Sequence, residues 1–175
     1  DQGNRGVFCF CRDASFDGAF VVFSHVSGLE ELLGRIIEYP ELEREERIRT
    51  FYSMTFIQNW LMNEASRHNN IYTKTRAASQ MVLFASRLIL AYNRVLFPYH
   101  KWLLSYVEKC EHKPENFTEH AKELLKNPSL EAASQLFKSV QSFRDWGVSD
   151  LEAYTWFMKD VEWSWREGSA SLEDI

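Results

Sequence analysis

A long apolar run with helical periodicity, stopped by a proline, dictates most of what this chain can become. Between residues 76 and 96, Ala77/Ala78, Met81/Val82, Phe84/Ala85, Leu88/Ile89, Tyr92 and Val95/Leu96 recur every three to four residues, which predicts a helix with a wide core face. Pro98 interrupts the pattern and an apolar helical segment resumes over residues 100–110. A helix with so much apolar surface needs other helices to cover it, so the chain must build a bundle around it.

The flanking sequence supplies those helices. A long helix is expected over residues 41–67, charged in its first turns and apolar on more than one side between Phe51 and Met62. His68-Asn69-Asn70 breaks it. Ser27-Gly28-Leu29-Glu30 has capping-box spacing and opens a short helix to about Ile37, which Tyr39-Pro40 ends. Asn116-Phe117-Thr118-Glu119 opens a helix to Lys126 in the same way. Asn127-Pro128 then caps a helix to about Trp146, with Gly147 as its C′ residue. Ser149-Asp150-Leu151-Glu152 starts the last helix, with Leu151, Tyr154, Met158, Val161 and Trp165 as its expected core stripe.

At the other end, residues 7–11 and 19–26 are rich in β-formers around turn chemistry at 13–18, and predict a β-hairpin. Two strands alone are marginal. Apolar residues on both faces (Phe20, Val22, Val26 against Val21, Phe23) suit a strand covered on both sides. The expected fold is therefore mainly α, a helical bundle of six to seven helices with a short N-terminal β-hairpin. The hairpin occupies 1–26 and is a candidate remnant of a larger sheet, the bundle spans 27–167, and a small acidic tail at 168–175 frays.

Composition narrows the function classes. With 175 residues, 45% apolar and 15% aromatic, the chain can bury a sizeable single-domain core. A net charge of −5 argues against a nucleic-acid-binding surface. Cys9, Cys11 and Cys110 form no disulfide framework, which suggests a reducing, cytoplasmic setting. No window approaches ~18 uninterrupted apolar residues, so no membrane span is expected. The opening at Asp1, directly before strand-like sequence, is what a fragment of a longer polypeptide would show.

The polar candidates gather at the proline. Arg94, Tyr99, His100 and Lys101 share the corner between the two apolar helices, and Arg76, Arg87 and Arg94 fall on one side of the first as a basic stripe. At ~1.5 Å rise per residue, Arg87 lies about 10 Å and Arg76 about 27 Å from Arg94, which confines any anion site to the Arg94/Lys101 end. The competing reading is a solvated face paired with the acidic start of the preceding helix. His112, His120 and the cysteines lack zinc-site spacing. Trp156, Phe157, Trp163 and Trp165 are expected in packing.

Two resemblances bear on the corner. Arg94 and His100 have the Arg-x5-His spacing of HEPN ribonucleases, helical bundles in which that pair acts on an RNA phosphate. More of the chain is similar to the C-terminal helical part of bacterial polymerase-β-type nucleotidyltransferases: Leu29-Glu30, Gly34, Tyr39-Pro40, the charged long helix, then Ala91-Tyr92-Asn93-Arg94 before Phe97-Pro98-Tyr99-His100-Lys101-Trp102. That resemblance implies a substrate- or nucleotide-binding region with contacts from Arg94, Tyr99 and Lys101, supported by Arg87 and His100. It implies an acceptor at an interdomain cleft, and Mg²⁺ with a nucleoside triphosphate as cofactors of a catalytic domain. The family's Gly-Ser followed by Asp-x-Asp is not in this sequence, so the chain is expected to be catalytically incomplete alone. An all-α protein-interaction domain and a HEPN-like ribonuclease are the alternatives, and a homodimer fits either.

Overall fold

A computed structural model describes Phe16, residues 18–168 and Ser171. Helices dominate: α1 (Leu29–Ile36), α2 (Arg44–Arg67) after a 3-10 turn at Glu41–Glu43, and α3 (Ile71–Tyr92). A second 3-10 turn, His100–Trp102, leads into α4 (Leu103–Lys109). Then come α5 (Phe117–Lys126), α6 (Leu130–Phe143) and α7 (Asp150–Met158), which runs through a π turn at Lys159–Trp163 into α8 (Ser164–Glu167).

The bundle is built on the α2–α3 pair. α6 and α7 pack on α2, and α4 and α5 close over α3. Residues 84–91 of α3 are buried on every side, because α2, α4, α5 and α6 together surround that stretch. Phe84, Leu88 and Ile89 form the centre with Met54, Met62 and Met81. Truncating Leu88 to Ala there costs about 2–5 kcal/mol by loss of transfer energy and the cavity left behind.

Asn69-Asn70 performs the stop and the start between the two central helices. Asn69 adopts φ 48, and the Asn70 amide bonds the Ala65 carbonyl at 2.9 Å, closing α2. The Asn70 side chain then accepts from the Thr73 amide at 3.0 Å and caps α3. α3 thus starts at Ile71, five residues before the periodicity predicts, because the cap and not the first core residue sets the boundary.

The N-terminal hairpin is not supported. Residues 7–11 lie outside the described residues, and 19–26 forms no strand. Phe20, Val22, Phe23 and Val26 are exposed. The Ser24 hydroxyl bonds both the amide and the carbonyl of Val26, so local turns take up hydrogen bonds that a ladder would need. α1 buries none of its residues, and its N-cap is Gly28 at φ 78 with no side-chain cap, in place of Ser27.

α5 keeps its expected bounds without the expected side-chain cap, and both ends of α6 move for local reasons. Asn116 precedes α5 in a left-handed conformation and makes no side-chain cap. α6 begins after Ser129, whose hydroxyl accepts from Ala132, and ends at Phe143 rather than Trp146. Trp146 is buried beyond the helix, its indole donating to the Val140 carbonyl at 2.9 Å.

The last helix starts where its capping box predicts. Glu152 Oε2 accepts from the Ser149 amide at 2.8 Å, and the Ser149 hydroxyl accepts from the Glu152 amide. Its core stripe does not follow. Leu151 is 75% and Met158 52% exposed, whereas Ala153 is fully buried and Trp156 and Phe157 pack on the core. Apolar residues occupy both faces of this helix, and the small Ala153 side chain lets α7 approach α2 closely.

Candidate functional site

The corner at residues 93–102 is held on both sides before it presents anything. α3 ends in a Schellman motif: the Val95 amide bonds the Leu90 carbonyl at 2.9 Å and the Arg94 amide bonds Ala91 at 3.2 Å. The left-handed position of that motif, φ 57, is filled by Arg94, where glycine or asparagine is usual. Val95 and Phe97 fold back onto the core and Pro98 is buried.

Asn93 and Arg44 fasten the end of α3 to its surroundings. The Asn93 amide group donates to the Ile89 carbonyl at 2.8 Å and to the His112 carbonyl at 2.7 Å, and Asn93 Oδ1 accepts from the His112 amide at 3.0 Å. One side chain therefore ties the loop after α4 to the end of α3. From α2, Arg44 donates to the carbonyls of Ala91 (3.2 Å) and Tyr92 (3.0 Å), placing a cation on the negative end of the helix dipole. Neither role is visible as a motif. Asn93 could have been found as a stop signal before Pro98, whereas Arg44 carries no sequence cue.

The predicted site residues divide into three groups. Arg94 turns to the 3-10 turn before α2 and forms a two-toothed ion pair with Glu41, at 2.9 and 3.0 Å. It lies beyond the end of α3, so the basic stripe is broken there. Arg87 is buried, with its guanidinium 4.6 Å from the Phe51 ring centre and 5.0 Å from that of Phe97. The stripe expectation is corrected at this position, because a second layer covers the face that helical periodicity leaves polar. Tyr99, His100 and Lys101 form the third group, and all three are exposed.

Within that group the rings meet edge to face. His100 lies 5.4 Å from Phe97 and 5.2 Å from Tyr99, while the Lys101 ammonium sits 4.9 Å from the Trp102 ring. Tyr99 has φ 75 and ψ 158, a backbone conformation that side chains with a Cβ rarely adopt. Arg94 and His100 are engaged with different partners, Glu41 for one and the Phe97 and Tyr99 rings for the other.

Beneath the corner lies a cavity of about 20 Å³ lined by Tyr39, Arg47, Phe51, Arg87, Val95 and Phe97. That is room for a single water and not for a phosphate. Burial pushes the Tyr39 phenol up, with Arg47 and Arg44 pulling it the other way. Arg47 pairs with Glu43 at 2.8 Å. Among the described residues no group of three His, Cys, Asp or Glu stands where it could hold a metal ion. No helix among them is long and apolar enough to cross a membrane.

No family model matches this chain, and neither curated proteins nor solved structures give a match.

Proposed function

We propose that the chain is the helical substrate- or nucleotide-binding region of a polymerase-β-type nucleotidyltransferase-like protein, working in a cytoplasmic setting. The observation that carries this reading is the corner itself. It combines exposed Tyr99, His100 and Lys101 with left-handed backbone at Arg94 and Tyr99, on a base tied down by Asn93 and Arg44. Strained backbone persists where the surroundings over-determine it, and it concentrates at sites that present side chains to a ligand. Lys101 supplies the charge for a phosphate or an anionic acceptor, Tyr99 an aromatic face, and His100 a ring nitrogen.

Two expected contributors take different parts. Arg87 acts as a buried support for Phe97, and Arg94 reaches a ligand only by exchanging Glu41 for it. The Gly-Ser followed by Asp-x-Asp that nucleotidyl transfer employs is not in this sequence, so the role proposed is binding. Titration of the chain with ATP and Mg²⁺ tests it. Lys101→Ala should weaken binding about fivefold, as the loss of one exposed charge contact. Equal affinity in both proteins removes Lys101 from the site, and no binding to the unaltered chain removes the reading.

A second reading, an all-α protein-interaction domain, is favoured by α7. Leu151 and Met158 stand in solvent on this helix, and Tyr154 meets the exposed Trp60 ring edge to face at 6.1 Å, apolar surface of the kind that partner proteins cover.

A further inference from the structure

The cavity of about 20 Å³ beneath the corner is chemically one-sided. Tyr39 reaches it from the segment before the 3-10 turn at Glu41–Glu43, Arg47 and Phe51 from α2, Arg87 from α3, and Val95 and Phe97 from the chain beyond α3. Its polar side chains are a phenol and two guanidiniums, and among the described residues no carboxylate or amide lines it. Arg47 is 5% and Arg87 9% exposed, so two cations are held more than nine-tenths buried against one small space. The Arg87 guanidinium stands against the Phe51 and Phe97 rings of the lining, and Arg47 acts on Tyr39 while keeping its pair with Glu43. A guanidinium has five N–H donors and no acceptor. Two buried like charges beside one space disfavour each other, and a negative charge between them relieves that.

The Tyr39 hydroxyl supplies a separate observation. Its oxygen is buried and makes no hydrogen bond among the described residues. The charges that act on it are those of Arg47, Arg44 and Glu41. Both arginines can only donate, and the Glu41 carboxylate is held by Arg94 at 2.9 and 3.0 Å. The carbonyls of Ala91 and Leu90 in the lining are engaged as well, Ala91 by Arg44 and the Arg94 amide and Leu90 by the Val95 amide. A buried hydroxyl proton without an acceptor is disfavoured, and an acceptor placed in the cavity would satisfy it.

Size and donor chemistry together select the occupant. The space holds one particle of about the size of water. A water molecule there would bring two protons of its own to a lining whose guanidiniums can only donate. A monatomic anion has no proton to place, accepts from every donor around it and makes charge-assisted bonds.

We propose that this cavity binds a halide ion such as chloride, between the Arg47 and Arg87 guanidiniums and the Tyr39 hydroxyl. Bound there, the ion ties the turn before α2 and both central helices to the underside of the corner. The assignment goes beyond the nucleotide reading and does not depend on it, since none of Tyr99, His100 and Lys101 lines the cavity.

Chlorine NMR of the full chain tests it in solution, because exchange with a protein site broadens the chloride line. The unaltered chain should give excess broadening that bromide displaces and that gluconate, too large for the cavity, does not. Tyr39→Phe, which keeps the ring, should weaken chloride about tenfold through loss of one hydrogen bond to a charged group, with the circular dichroism unchanged. Lys101→Ala should bind chloride as the unaltered chain does. Crystals grown in sodium bromide give the position, with an anomalous peak expected within hydrogen-bond distance of Tyr39 Oη. Absence of excess broadening, full chloride affinity in Tyr39→Phe, or loss of broadening in Lys101→Ala would overturn the proposal. So would water density in the cavity with no anomalous peak.

Discussion

Arg94 occupies the left-handed position that ends α3, and this sets apart what a side chain does locally from what its charge suggests. Placing a residue with a Cβ there costs about 1–2 kcal/mol relative to glycine, while its exposed ion pair with Glu41 returns at most about 1 kcal/mol. Glu152 gives the residue-scale prediction. The Ser149 amide, and next its hydroxyl, hold the Glu152 carboxyl below its ordinary value, with a smaller contribution from Arg49. A folded-state pKa below the unfolded one contributes stability above the unfolded pKa, and that contribution is lost as pH falls through the folded value. The Tm of the unaltered chain should therefore exceed that of Glu152→Gln at neutral pH, with the gap closing in the acid range. A gap that stays constant in thermal melts across that range would show that the carboxylate charge plays no part.

Among the elements, α7 separates apolar periodicity from burial. Its capping box was readable because Ser149 and Glu152 bond only each other and the backbone, so local sequence decides the matter. Its buried face was not readable, because both faces are apolar and contact with α2 selects one. Ala153→Leu should then destabilise the protein by about 1–3 kcal/mol through overpacking. Leu151→Gln, on the face first expected to be buried, should change stability by no more than about 0.5 kcal/mol. Urea unfolding of the two variants decides between the faces, and a larger loss for Leu151→Gln would reverse the assignment. The same distinction explains Arg87. Helical spacing identifies it as off the α3 core stripe, but only the second layer, Phe51 and Phe97, makes it buried.

For the molecule as a whole, the bundle was legible because the runs in α2 and α3 are long and their breaks are chemically plain at Asn69-Asn70 and Pro98. The corner was legible as a place, since Pro98 and the polar residues around it mark it. Its base was not, because Asn93 and Arg44 act through backbone carbonyls brought close only by folding. The absence of the predicted strand at 19–26 was not legible, because β-forming composition does not show that local turns, here Ser24 with the Val26 amide and carbonyl, take up the hydrogen bonds. The central claim, that this corner receives a nucleotide, is tested most directly by amide NMR of the chain as ATP and Mg²⁺ are added. Shifts are expected to be largest at Tyr99, His100 and Lys101, with Thr50 on α2 and Glu152 on α7 unmoved. Shifts that leave Tyr99, His100 and Lys101 untouched would contradict it.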